Sequence, residues 1–216
     1  MSTSMYDYIR TIVPAERLLF HEPMSRHTTF RVGGEAECMA VVESKEELSQ
    51  LVSYLGRIEQ DYFVLGNGSN LLVGDKGYRG IIVKLGPRLS AVGVEKNHIA
   101  AGAGVLLSKV AYAARDAGLS GLEFAAGIPG SIGGAIVMNA GAYGGEMKQV
   151  VQMVRVMDKE GEILTLDNDT MEFGYRTSII RDRPFIVLGV VLKLTPGNKE
   201  EISAKMEELM KQRKSK

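Results

Sequence analysis

Between Gly121 and Gly145 the chain reads GLEFAAGIPGSIGGAIVMNAGAYGG, and no other stretch limits the possible folds as strongly. Eight of these 25 residues are glycine, and Glu123 is the one charged side chain. Glycine loses more backbone freedom on folding than any other residue. So dense a run of it suits places where the backbone needs φ > 0 or must approach another group closely. A buried turn between core elements is one reading. The length of the run and its scarcity of charge favour the other, a segment that cradles a small molecule.

Such a segment needs a core to stand on. With 216 residues, 45% apolar and 24% charged, the chain can build one large domain or two small ones sharing an interface. Its 26 basic residues match its 26 acidic ones, so no broad attraction to nucleic acid or to an anionic membrane is expected. Backbone N–H groups can still hold a phosphate locally. The single cysteine, Cys38 in the strand-like AECMAVVES, excludes an intramolecular disulfide framework and reads as a small core hydrophobe in a reducing compartment. The start, MSTSMYDYIR, lacks the plan of a secretion signal, and no uncharged apolar run nears the roughly 20 residues of a membrane span. A cytoplasmic protein is expected.

Taken in order, Met5 to Val13 suits a short helix with Tyr8, Ile9 and Ile12 on one side, stopped by Pro14. Leu18 to His27 reads as a connecting arm, then Thr29, Phe30 and Val32 as extended chain before a Gly33-Gly34 turn. His21 and His27 lie at no metal-ligand spacing, so surface or capping roles are expected for both and no metal site is read. Ala36 to Val42 is a strand. The S-x-x-E of Ser44 to Glu47 then opens a helix with Leu48, Leu51, Val52, Leu55 and Ile58 at helical spacing. Tyr62 to Leu65 and Ile81 to Leu85 are two more strands, completing a small α+β unit.

A second motif, Gly66-Asn67-Gly68-Ser69-Asn70, follows the Tyr62 to Leu65 strand directly. Glycines around Asn67 let successive N–H groups point into one concavity, with Ser69 and Asn70 adding side-chain donors, as a diphosphate requires. It is neither a Walker loop nor a Rossmann fingerprint. An ordinary hairpin turn is the equal alternative, because Asn-Gly is also a strong hairpin signal.

His98 to Ala103 begins a second unit. Val105 to Ala117 is helical with Leu106, Val110, Ala113, Ala114 and Ala117 inward, and Gly118 closes it. After the glycine-rich segment, Val150 to Met157 and Ile163 to Leu166 form a hairpin around Asp158 to Gly161. Phe185 to Leu194 reads as a central, buried strand. Between them, in EFGYRTSIIRDRP, Arg176 stands among apolar Phe173, Ile179 and Ile180. Partly buried there, it needs an acidic partner or an anionic ligand. An ion pair with Glu172 or Asp182 is the simpler reading. Asn198 caps a last amphipathic helix carrying Ile202, Met206, Leu209 and Met210, before the basic end KQRKSK. Two α+β subdomains are expected, their two glycine segments facing each other across a cleft.

GNGSNLLV, GLEFAAGIPGSIGGAIVMNAGAYG and FGYRTS, in this order, resemble the UDP-N-acetylenolpyruvoylglucosamine reductase family (UDP-N-acetylmuramate dehydrogenases of peptidoglycan synthesis) from about His27 onward. The resemblance implies an α+β fold, the two-subdomain FAD-binding module of the vanillyl-alcohol-oxidase (PCMH) type. It implies an arm over 1–26, subdomains over 27–86 and 87–196, and a closing helix over 197–216. By it, Gly66, Asn67, Gly68, Ser69 and Asn70 hold the FAD diphosphate. Gly127, Pro129, Gly130, Ser131, Gly133 and Gly134 line the flavin, with Asn139, Gly141 and Ala142 near it. NADPH is the implied reductant, and the implied substrate is the small molecule UDP-N-acetylglucosamine enolpyruvate. Arg176 becomes the catalytic arginine that holds the substrate carboxylate, with Tyr175 adjoining in the substrate site. Family members also carry a third domain bearing a proton-donor serine after such a last helix. The chain stops at Lys216 before that domain, so the expectation is an incomplete, FAD-binding portion of the enzyme. Two alternatives stand beside this one: another FAD-dependent oxidoreductase on the same scaffold, or a flavin-binding protein without catalysis.

Overall fold

A computed structural model describes residues 4–215. The first residues of MSTSMYDYIR and the last lysine of KQRKSK lie outside that range. The first unit runs α1 (Met5–Ile12), β1 (Leu18–Pro23), β2 (Glu35–Val42), α2 (Lys45–Arg57), β3 (Tyr62–Leu65) and β4 (Tyr78–Leu85). Its sheet has the order β1-β2-β4-β3, with β2, β4 and β3 mutually parallel and β1 antiparallel on the edge. α2 begins at Ser44, whose hydroxyl accepts from the Glu47 N–H at 3.0 Å. The reciprocal half of that cap is diverted. The Glu47 carboxylate accepts from the Glu43 N–H and takes a two-pronged bond from Arg17, which holds its pKa down.

The segment expected to be a connecting arm is therefore β1, paired residue for residue with β2 from Leu18 opposite Ala40 to Pro23 opposite Glu35. Edge strands need no alternation when only one of their sides is paired, which hides them from a periodicity reading. Thr29 and Phe30 are not extended: residues 24–30 turn tightly and Arg31 follows at a φ of 55°, while Val32 belongs to no strand. α1 lays Ile9 into the core, while Tyr8 turns outward to stack on Tyr54 with ring centroids 4.1 Å apart.

The second unit continues with β5 (Val92–Glu95), β6 (His98–Gly102), α3 (Leu107–Asp116), β7 (Leu119–Ser120), α4 (Ile132–Val137), β8 (Gly141–Ala142), β9 (Gly145–Glu146), β10 (Val151–Met157), β11 (Ile163–Asp167), β12 (Ile186–Lys193), β13 (Thr195–Pro196) and α5 (Lys199–Lys214). An antiparallel sheet of order β11-β10-β12-β6-β5 puts the apolar β12 at its centre. Leu107, Val110, Ala111 and Ala114 form the inner face of α3. Leu106 and Ala117, expected inside, are exposed: the helix runs from Leu107 to Asp116, so they are its two cap residues and lie outside its buried face. Gly118 follows α3 at φ 67°, the left-handed turn of a helix end.

α5 is N-capped by Asn198 and buries Ile202, Met206 and Leu209 in the same core as α3, α4 and β12. Its apolar face is thus filled within this chain, and the helix carries no argument for a further domain. The two units also share a core. Met157, Ile186 and Leu188 of the second sheet join Leu48, Leu51, Val52 and Leu55 of α2 in one buried cluster. On the outside of α2, Ser49 and Ser53 donate to the carbonyls of Gly161 and Glu160 in the β10–β11 turn at 3.2 and 2.9 Å. Gly161, at φ 89°, must lack a side chain there, because a Cβ would run into the Ser49 hydroxyl.

Candidate active site

Parallel β3 and β4 cannot be joined by a hairpin, so the hairpin reading of Gly66–Asn70 falls: residues 66–77 must travel back along the sheet. The chain bends immediately after β3, at the carboxyl end of the parallel strands, where open α/β sheets place ligands. Gly68 sits at φ 61°, and a Cβ on it would collide with the His27 carbonyl. That close approach is closed by the Thr29 N–H donating to the Gly68 carbonyl at 3.1 Å. Among the described residues no acceptor takes the backbone N–H of Asn67, Gly68, Ser69 or Asn70. Four neighbouring N–H groups are thus left without an acceptor among the described residues.

Gly66 and Asn67 border a polar cleft of about 310 Å³ whose other walls are Arg26, His27, Thr28, Thr29, Arg31 and Lys84. His27 is not at the surface: its side chain is 14% exposed, with Nε2 2.9 Å from a Glu22 carboxylate oxygen and Nδ1 2.9 Å from Lys84 Nζ. Burial lowers the pKa of Lys84, and the charge of Glu22 partly offsets this. Sequence reasoning missed Glu22, Arg31 and Lys84. The available signal was the lysine that interrupts the apolar run GIIVKL of β4.

The long glycine segment faces this corner. Glu123–Ala125 makes one 3₁₀ turn, then Ser131 caps α4, its hydroxyl accepting from the Gly134 N–H at 3.3 Å. Ser131 is 3% exposed and fills the space above Gly66, where a Cβ would strike its hydroxyl. Ser69 donates to the Pro129 carbonyl at 3.2 Å, and Gly130, at φ 129°, has room only for hydrogen beside the Ser69 oxygen. The expected meeting of the two motifs is therefore made by Gly66 and Ser69 on one side and Pro129, Gly130 and Ser131 on the other. Gly133 and Gly127 face inward instead. Gly133 lies against Ala103, to whose carbonyl its N–H donates at 2.9 Å, and Gly127 lies under Met210 and Arg213 of α5. Gly134 is on the exposed flank of α4.

A second cleft, about 290 Å³, gathers Asn139, Gly141, Ala142, Tyr143, Tyr175 and Arg176. Asn139 is 3% exposed and its amide is fully engaged: it donates to Glu146 and to the Gly174 carbonyl at 3.1 and 3.0 Å and accepts from the Lys148 N–H at 2.9 Å. It ties the loop after α4 to the FGYRTS loop. Non-glycine residues with positive φ concentrate around this cleft, at Asn139 (41°), Tyr143 (54°), Glu172 (48°) and Arg176 (56°), a strain characteristic of functional sites. The partly buried Arg176 expected from its apolar neighbours is not found. Arg176 is exposed, Tyr175 is 92% exposed, and among the described residues no carboxylate pairs with Arg176, neither Glu172 nor Asp182. The apolar neighbours turn inward while the left-handed backbone at residue 176 throws the guanidinium out, 6.0 Å from the Tyr175 ring centre. A larger cleft, about 550 Å³, lies on the face of the second sheet away from Ile99, Val154 and Leu192, and contains neither glycine segment.

Known proteins match this arrangement. Residues 36–167 match the FAD binding domain family. The whole chain is 49% identical over 216 residues to UDP-N-acetylenolpyruvoylglucosamine reductase of Caldanaerobacter subterraneus, covering 71% of that protein's length. The same reductase of Alkaliphilus metalliredigens is 43% identical over 99% of this chain and 70% of its own. The crystal structure of UDP-N-acetylenolpyruvylglucosamine reductase from Thermus caldophilus superposes with TM-score 0.79 at 37% identity, over 92% of this chain and 69% of that one. A glucose dehydrogenase, wild-type Phl p 4, shares the fold alone, at 15% identity and TM-score 0.62 over 88% of this chain and 44% of its own. The fold is α+β, the two-subdomain FAD-binding module, and the chain belongs to the UDP-N-acetylenolpyruvoylglucosamine reductase family.

Proposed function

We propose that the chain holds FAD and, with NADPH as reductant, serves the reduction of UDP-N-acetylglucosamine enolpyruvate to UDP-N-acetylmuramate in peptidoglycan precursor synthesis. The observation that carries this is the seam where the unengaged amides of residues 67–70 meet Pro129, Gly130 and Ser131, in a chain 49% identical throughout to a reductase of that name. The residues present fit a flavin dinucleotide. Gly66, Asn67, Gly68, Ser69 and Asn70 would hold its diphosphate: among the described residues the backbone N–H groups of 67–70 have no acceptor, and the missing side chains of Gly66 and Gly68 let this loop close on the Ser131 hydroxyl and the His27 carbonyl. Bound there, FAD supplies a two-electron carrier between NADPH and the enolpyruvyl double bond.

The other roles fall to the chain's own groups. Pro129, Gly130, Ser131 and Gly134 form the wall against the cofactor. Gly127 and Gly133 act behind it, allowing that wall to seat on α5 and on Ala103. Gly141 and Ala142, in the short β8, border the second cleft with Tyr175. Among the described residues no carboxylate pairs with Arg176, so it is available to hold the substrate carboxylate and to stabilise negative charge as it builds on the enolate. Asn139 is a positioning residue, because every polar atom of its amide is already bonded within the protein. No serine of the chain is assigned the proton that completes the reduction.

The test is an absorption spectrum of the purified chain, followed by FAD titration if it is colourless. Flavin bands or saturable uptake are expected. A chain shown to be folded by circular dichroism that takes up no FAD would overturn the reading.

A further inference from the structure

We infer that Lys84, steered by the His27–Glu22 pair, is the fixed positive charge of the dinucleotide corner and binds a phosphate group at residues 66–70. The inference rests on the flavin reading above and adds to it a residue that belongs to none of the glycine motifs.

Its first support is placement. Side chains alternate along β4, so Lys84 shares a face with Ile82, among buried Met24, Met39 and Leu65, and stands directly opposite Leu65 of β3. The strand therefore buries the aliphatic stem and delivers the ammonium where β3 ends and the loop begins. The second support is incomplete compensation. Among the described residues Lys84 has no carboxylate partner, and its one hydrogen bond is to His27 Nδ1 at 2.9 Å. An ammonium has only donors, so Nδ1 accepts, and Nε2 must carry the imidazole hydrogen that goes to Glu22. Glu22 thus orients the ring without touching the lysine, and two donors of the ammonium stay available. A half-buried cation so placed is poorly compensated until an anion arrives.

The third support is what surrounds it. The same cleft presents Arg31, with no ion-pair partner among the described residues, and Asn67, whose N–H is the first of the unengaged amides that follow Gly66. Arg26 also lines the cleft, largely exposed and 3.8 Å from Glu22. Glu22, the acid of the group, is turned to His27 and Arg26. The corner is a concavity of donors with net positive charge, and the matching ligand chemistry is a phosphate or diphosphate.

Titrating FAD into the chain and into Lys84→Met and Lys84→Gln, read by flavin fluorescence, tests this. Lys84→Gln keeps a donor for His27 and removes the charge, so it covers the case in which the methionine variant does not fold. Expected is a loss of affinity of about tenfold or more in both variants, shrinking as salt is raised. Circular dichroism of the two variants should be unchanged. Affinity within twofold of the parent in Lys84→Gln would overturn the inference and leave the flavin reading intact. If the parent itself takes up no FAD, the flavin reading fails alone, and inorganic pyrophosphate becomes the probe. Pyrophosphate binding that disappears in Lys84→Gln then sustains the phosphate corner, and its absence in the parent ends it.

Discussion

The corner at residues 66–70 and the cleft around Asn139 are both built from small residues on tight backbone, yet they treat their polar groups in opposite ways. In the corner, among the described residues, successive backbone donors have no protein acceptor and a buried-stem lysine has no carboxylate in contact. In the cleft, one buried amide satisfies a carboxylate and an N–H at residues 146–148 and a carbonyl at Gly174. The first leaves donors unanswered, whereas the second is a clamp whose central amide is fully bonded, with Arg176 and Tyr175 exposed beside it. Glycine richness alone therefore does not mark a binding surface. What distinguishes the two is which donors remain unanswered once the chain is folded.

Three substitutions probe that contrast. The largest effect is expected at Asn139→Ala, which leaves buried partners unanswered and should cost about 3 kcal/mol in urea unfolding. Gly68→Ala comes next. It forces a side chain into a left-handed position against the His27 carbonyl and should cost about 2 kcal/mol while weakening FAD uptake. Arg176→Ala should change unfolding by no more than about 0.5 kcal/mol, because the guanidinium is exposed and unpaired. If Arg176→Ala destabilised as much as Asn139→Ala, the guanidinium would belong to the clamp and the contrast would collapse. Unaltered stability and FAD affinity in Gly68→Ala would instead show that the corner yields to a side chain and is no cradle.

Much of this was legible in the sequence because it is written in period. α2 and α5 announce themselves by capping residues and apolar spacing, and β10, β11 and β12 by alternation and a continuous apolar run. β1 was not, since LLFHEP has neither alternation nor punctuation and becomes a strand only because β2 offers it an edge. β5 was missed for a similar reason: VGVE is too short to carry a pattern. In the site, the glycine motifs identify the two facing walls. The position of Arg176 depends on one left-handed residue, which composition does not encode. Lys84 was overlooked because its role arises from a β1 carboxylate and a turn histidine brought together by the fold.

The bonds from Ser49 and Ser53 to the turn at Glu160 and Gly161 span sequence separations of 112 and 107 residues. With Met157, Ile186 and Leu188, they complete a core whose first contributors lie before residue 56. As the chain leaves the ribosome, α2 therefore waits with an unfinished underside until the strands that close it have been synthesised. The early half's core is completed only by residues synthesised about a hundred positions later. Such a chain depends on its own later residues to hide what its earlier ones expose.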